Sequence, residues 1–244
     1  TWVGLDNFRA IFSDEYYWYS VWVSCVYAFW TTLLAIGFAL ILAVFADRQL
    51  RGYKAYRIGL IWPYAIAAPA IGLAFRFIFN PTSGVMGMLN AQYPGIWDPG
   101  LTGSHAMAMI VIAGAWKQIA YNFIFFLAGL QSIPRSLIEA GAMDGAGVLR
   151  RIKDIQIPLL APTFFFVLVI NITDSFTDSF GIVDTMTGGG PARATNLMVY
   201  KIYFDGFNGN DFSGAAAQSI ILMVMVIAMT FFQFRYIERR VHYS

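Results

Sequence analysis

Apolar positions along this chain neither alternate nor recur on a single helical face; they run on for twenty residues and more. Residues 21–46 hold 26 positions without one charged side chain. Four further stretches have similar length: 58–79, broken by Pro63 and Pro69 and interrupted by Arg76; 106–130, which contains Lys117; 159–183, which carries Asp174 and Asp178; and 215–234, again without charge. A membrane-crossing helix needs about 20 mostly apolar residues, whereas a barrel strand needs about 10 alternating ones. Only a helix satisfies every backbone group inside one lipid-exposed segment. The pattern therefore predicts an all-α membrane protein, a polytopic bundle with five spans.

Composition agrees. Of 244 residues 58% are hydrophobic and 12% charged, about half the charged fraction of an ordinary soluble domain. A net charge of +2 and the lack of a basic run among aromatics argue against nucleic acid. Cys25 alone forms no intrachain disulfide, and His105 and His242 stand too far apart for a histidine metal cluster. Trp18, Trp22 and Trp97 read as interface markers or packing.

The placement of Lys and Arg sets the expected orientation. Arg48, Arg51, Lys54 and Arg57 follow the first span; Arg135, Arg150, Arg151 and Lys153 follow the third; Arg235, Arg239 and Arg240 follow the fifth. The other side carries only Arg9, Arg193 and Lys201. The eleven-residue side is expected to be cytoplasmic, with the C-terminus there and Thr1 outside. Five spans from an outside start imply one more helix upstream of Thr1, giving six with both ends inside.

A charge at mid-bilayer costs roughly 2.5–3.5 kcal/mol on insertion scales and so faces a cavity or a partner. Asn171, Asp174 and Asp178 are spaced i, i+3, i+7 and fall on one helical stripe; Lys117 shares a face with Tyr121, and Gln118 with Asn122. Two readings stand. In one, Lys117, Tyr121, Asn122, Asn171, Asp174 and Asp178 line a substrate pathway, the lysine attracting a phosphate ester and the carboxylates accepting hydroxyl hydrogen bonds. In the other, Lys117 simply pairs with an aspartate, or the aspartates sit at the outer water boundary. Arg76 is expected to snorkel to that boundary. An integral membrane enzyme using Asp174 and Asp178 is the reading from a different class, with no nucleophile or histidine nearby to support it. Pro63 and Pro69 are taken as ordinary prolines of a membrane helix. Gly188, Gly189 and Gly190 lack a following GK[ST], so no phosphate loop is expected there.

Between Gln131 and Pro158 the chain reads QSIPRSLIEAGAMDGAGVLRRIKDIQIP. Ser132 and Pro134 mark a helix start, Leu137, Ile138 and Met143 offer a short apolar face, and Asp144-Gly145 is a stop signal. A second short helix is expected from Val148 to Ile155, ending before Pro158. The hairpin is too short to cross a bilayer. By spacing alone it is either an interfacial element or a knob that docks a soluble partner.

Here the residues resemble a known family. Glu139-Ala140-Gly141, two residues, Asp144-Gly145-Ala146, eight residues and Ile155-Gln156-Ile157-Pro158 are similar to the EAA motif of ABC importer permeases, whose pattern is EAA, two residues, DGA, eight residues, I-x-L-P. Gly141 stands where Ala is usual and Ile157 where Leu is usual. VGLDNF at residues 3–8 and TGGGPARAT at 187–195 resemble external segments of the sugar-type members. WKQIAYNFIFF at 116–126, running on into LQSIPRSLIEA, resembles the permeases of glycerol-phosphate importers more than maltose-type subunits.

The resemblance implies a single transmembrane domain of the type I importer kind over residues 1–244, with a cytoplasmic coupling loop at 131–158. It implies a bacterial inner-membrane heterodimer with a second permease, two ATPase subunits and a periplasmic binding protein. ATP and magnesium would lie on the partner ATPase, with no cofactor on this chain. Glu139, Ala140, Gly141, Met143, Asp144, Gly145, Ala146 and Pro158 would couple to that ATPase. The expected cargo is sn-glycerol-3-phosphate or a related glycerophosphodiester; a neutral sugar, oligosaccharide or polyol is the alternative.

Overall fold

A computed structural model describes residues 4–47 and 59–237. Within them all regular structure is helical: α1 Asp6–Ser13, α2 Glu15–Asp47, α3 Ala68–Ile78, α4 Val85–Gln92, α5 Gly103–Ser132, α6 Arg135–Met143, α7 Val148–Leu159, α8 Ala161–Thr177, α9 Phe180–Met186, α10 Met198–Tyr203 and α11 Phe212–Ile237. Arg48, Arg51, Lys54, Arg57, Arg239 and Arg240 lie outside the described residues, as do His242 and the expected start of the second span.

Three helices, α2, α5 and most of α11, are each long and apolar enough to cross a membrane. The first starts six residues before the apolar run because Asp14 ends α1 in an extended conformation and its Oδ1 accepts the Tyr16 N–H at 2.9 Å. That is N-cap chemistry, and it sets the helix start ahead of the hydrophobic pattern. The aromatic turn Tyr16–Tyr19 then joins the span.

Two expected spans are broken. The segments Gly59–Ala65 and Ala68–Ile78 meet at 115°. Pro63 sits in a 3-10 turn at Trp62–Ala65, Ala67 is extended, and Pro69 occupies the first turn of α3, where its missing N–H costs nothing. The prolines therefore divide this span instead of riding inside it, contrary to the reading of them as ordinary membrane prolines. The segments Val148–Leu159 and Ala161–Thr177 meet at 67°. Here the helix does not stop before Pro158 as expected. A π turn at Ile152–Gln156, with the Ile157 N–H bonding back to the Ile152 carbonyl, shifts the ladder by one residue and carries α7 past the proline. The apolar run 159–183 also ends early: Asp178 leaves helical geometry and α9 begins separately at Phe180.

The core is built around α5. In its most apolar stretch 67% of residues are buried, against 33% for α2 and 22% for α11, so α5 is the central post. Lipid tails are as apolar as leucine, so close packing rather than water exclusion holds such helices together. Small residues supply it: Ala35, Ala39 and Ala43 of α2 are fully buried, and Gly114 of α5 leaves the room that the Tyr27 ring occupies. The broken pieces α3 and α9 pack in the same way. A Cβ at Gly72 would strike Thr185 Oγ1, and one at Gly181 would lie 2.8 Å from the Pro69 ring.

Two apolar clusters flank α5 along its length. One joins Tyr27, Ile71, Met109, Ile110, Ile182 and Val183; the other joins Ala39, Phe123, Phe126, Leu127, Leu160 and Val167. Residues 117–122, the polar part of α5, lie between them. This layering places the polar side chains near the middle of a helix about 45 Å long.

Candidate functional site

Lys117 and Tyr121 of α5, Asp174 of α8 and Asp178 at the α8 C-cap line one cavity of about 550 Å³, together with Tyr27, Gln118, Ser179, Ile182 and the bend Tyr64–Ala68. Two of the walls are interrupted there: the 115° bend brings Tyr64 in, and the break after Thr177 turns Asp178 and Ser179 toward the cavity, opposite the continuous α5. Lys117 Nζ pairs with Asp178 Oδ2. The Tyr121 phenol lies beside the Asp174 carboxyl, and its ring packs edge-on against Tyr64. The lysine lines the cavity and is paired within it, as the pairing reading expected.

Asn122 and Asn171 do not line this cavity. Both are fully buried and bond each other twice, Asn122 Nδ2 donating to Asn171 Oδ1 at 3.0 Å and Asn171 Nδ2 donating to Asn122 Oδ1 at 2.8 Å. Ser175 Oγ donates to the Asn171 carbonyl at 2.8 Å. The stripe is a true helical stripe, but α5 covers its first member. Reciprocal amide bonds satisfy both side chains and tie α5 to α8. Arg76 is not free at the boundary either: its Nη1 donates to the Thr185 carbonyl at 3.1 Å, near the C-terminus of α9.

Residues that the sequence reading did not put in the pathway complete the walls. Gln118 Oε1 and Ser179 Oγ are buried without a hydrogen-bond partner, in a cavity whose occupant could satisfy them. Gln118 was detectable as a polar residue within an apolar run. Ser179 gains its place only from the helix break, and Tyr27 and Tyr64 carry no signal among so many aromatics.

The helices α6 and α7 form a hairpin. The helix α6 ends in a Schellman arrangement: the Ala146 N–H bonds the Gly141 carbonyl at 2.9 Å, the Gly145 N–H bonds Ala142 at 3.0 Å, and Gly145 has φ +79°. The expected Ser132 cap is absent, since Ser132 Oγ donates to the Gly129 carbonyl instead. Gly141 lets the two arms close, because a Cβ there would lie 2.7 Å from Ile155 Cδ1. Arg151 Nη1 reaches the Ile138 carbonyl at 3.5 Å. Glu139, Ala140, Met143, Asp144, Gly145 and Pro158 are exposed, and Gly141 and Ala146 half-buried. The expected apolar face does not form as one surface: Ile138 packs against the α2–α5 core, while Met143 is 88% exposed.

The segment 187–195 also has a defined shape. Thr195 Oγ1 donates to the Gly190 carbonyl at 2.7 Å, and Arg193 stacks 3.8 Å over the Tyr16 ring. Behind it Lys201 is held by Asp205 at 2.8 Å and Asp14 at 3.5 Å. Among the described residues no group of His, Cys, Asp and Glu has the geometry to hold a metal ion.

Comparison with known proteins follows this layout. The chain is 54% identical over 244 residues to the sn-glycerol-3-phosphate transport system permease protein UgpA of Brucella abortus, covering all of this chain and 83% of that one. It is 53% identical over 242 residues to UgpA of Rhizobium meliloti (99% and 83% covered) and 44% identical over 242 residues to UgpA of Escherichia coli O157:H7 (99% and 82%). A bacterial ABC transporter involved in the import of the acidic polysaccharide alginate shares the fold, with a TM-score of 0.86 at 20% identity over 98% of this chain and 84% of that one. A bacterial alginate ABC transporter in complex with an alginate pentasaccharide-bound periplasmic protein shares it too, with a TM-score of 0.85 at 21% identity over 98% of this chain and 84% of that one. The family of binding-protein-dependent transport system inner membrane components matches residues 17–243, and the chain belongs to it: a multi-pass permease of the inner membrane and not an enzyme.

Proposed function

We propose that this chain is the permease subunit through which an ATP-driven importer passes sn-glycerol-3-phosphate, or a related glycerophosphodiester, into the cytoplasm. The observation that carries the reading is the 54% identity to UgpA along the whole chain. The cavity chemistry supports it: Lys117 offers a cation for a phosphoryl group, and Asp174, Gln118 Oε1 and Ser179 Oγ suit glycerol hydroxyls. A second permease, two ATPase subunits that bind ATP and magnesium, and a periplasmic binding protein complete the assembly. The α6–α7 hairpin lies in the cytoplasm, as the C-terminus does, and seats in the ATPase. Glu139, Ala140, Gly141, Met143, Asp144, Gly145, Ala146 and Pro158 form the contact, and the hairpin moves α5 and α8 as attached bodies. A neutral sugar or polyol is the second reading, favoured by the two carboxylates facing the cavity.

The test is ATP hydrolysis by the complete importer in lipid vesicles. Binding protein loaded with sn-glycerol-3-phosphate is expected to stimulate it several-fold and sugar-loaded protein not at all. Stimulation by the sugar-loaded protein alone overturns the assignment.

A further inference from the structure

Within the cavity, Lys117 stands against Asp174 and Asp178, so an anion entering this arrangement meets one cation already engaged and an excess of negative charge. The pair itself is asymmetric. The Lys117 side chain is 16% exposed and stands near the middle of the unbroken α5, whereas the Asp178 side chain is 60% exposed. Moving Asp178 off the lysine returns a largely solvated carboxylate to water and leaves the mostly covered ammonium to be met by an incoming anion. Lys117 has no such freedom, because the continuous α5 that carries it is packed on both sides of the cavity. The backbone points the same way. Asp178 occupies the break between α8 and α9, at φ −111° and ψ 14°, and α9 is locked through Gly181 and Gly72 to α3, itself one arm of the 115° bend. A shift of the α3–α9 wall relative to α5 would carry Asp178 away while Lys117 stayed.

We infer that Asp178 is an exchangeable guard on Lys117, holding the site that the phosphoryl group of the cargo takes on loading. The guard leaves and the lysine stays. Gln118 Oε1 and Ser179 Oγ, buried and without partners, then accept or share the hydroxyl hydrogen bonds that fix the rest of the molecule. A small anion such as inorganic phosphate lacks those hydroxyl contacts and competes poorly while Asp178 is present. The guard thus sets selectivity for a phosphorylated polyol over free phosphate. This rests on the proposed phosphate-ester cargo.

The experiment uses the complete importer in lipid vesicles with its binding protein, measuring uptake of labelled sn-glycerol-3-phosphate against rising inorganic phosphate. Wild-type uptake of the label comes first. Uptake of a labelled neutral sugar in its place defeats the cargo assignment before any variant is made. In Asp178→Asn, and independently in Asp178→Ser, whatever uptake remains is expected to become about ten times more sensitive to inorganic phosphate, because the cation is unguarded. In Lys117→Met uptake falls at least tenfold. The exchanged variant, Lys117→Asp with Asp178→Lys, keeps an ion pair but moves the cation to the mobile break, and is expected not to recover. Unchanged phosphate sensitivity in both Asp178 variants, or recovery of half or more of wild-type uptake in the exchanged variant, makes the pair a structural tie and overturns the guard.

Discussion

The α6–α7 hairpin and the Asn122–Asn171 layer treat their side chains in opposite ways. In the layer every amide is covered: the two asparagines are fully buried and bond each other reciprocally. On the hairpin Met143 is 88% and Leu149 81% exposed, yet the backbone is closely defined by the Schellman turn and the contact between Gly141 and Ile155. A rigid backbone that displays apolar side chains is the character of a surface made for another chain. A satisfied polar pair in an apolar interior is the character of a joint within one chain. The same protein therefore keeps a satisfied polar pair in its middle and leaves apolar side chains uncovered on the hairpin.

That contrast can be broken at three strengths. The largest effect is expected from Gly145→Val. Nothing lies within 4 Å of a Cβ there, so space is not the obstacle, but φ +79° is left-handed and costs a branched residue about 1–2 kcal/mol or more. The turn would re-form differently and the hairpin would point elsewhere. Uptake should fall at least tenfold with the complex still assembled, checked by co-purification beside vesicle transport; uptake at the wild-type rate refutes the lever. Next, Asn171→Leu orphans Asn122 in a dry interior, a loss of about 1–3 kcal/mol. The thermal midpoint of the solubilised protein should drop by several degrees. The double change Asn122→Leu with Asn171→Leu should recover most of it, because no polar group is then left unpaired. A double variant as weak as the single one would show that the pair is not what joins α5 to α8. Smallest is Gly141→Ala. Helix propensity favours alanine by about 1 kcal/mol, and the opposing contact is only the flexible end of Ile155. The change alone should be near neutral in the same measurement, and slightly stabilising with Ile155→Val.

The hairpin was legible because its signals are local: a proline start, an Asp-Gly stop and a motif whose spacing survives intact. Local chemistry still misassigned parts of it. Ser132 caps nothing at α6, since the carbonyl of Gly129 one turn back is nearer, and Pro158 does not end α7, since a π turn absorbs it. The cavity was half legible. Lys117, Tyr121, Asp174 and Asp178 could be chosen as polar residues within apolar runs, whereas Asn171 belonged to the same stripe and went elsewhere, because which face of α8 meets α5 is not written in the spacing of α8.

Composition and run length alone determined that this chain lives in lipid as a set of helices, because no other backbone arrangement hydrogen-bonds itself along a single strand of sequence. Local turn signals and the motif together determined which residues form the hairpin. Only the tertiary structure decided that the run 58–79 is bent by 115° and that α7 meets α8 at 67°, that α9 is a separate piece locked to α3, and that Lys117 meets Asp178 across 61 residues of chain. Those outcomes depend on which small residues let which helices approach, and close packing is a property of pairs of surfaces that no single segment contains.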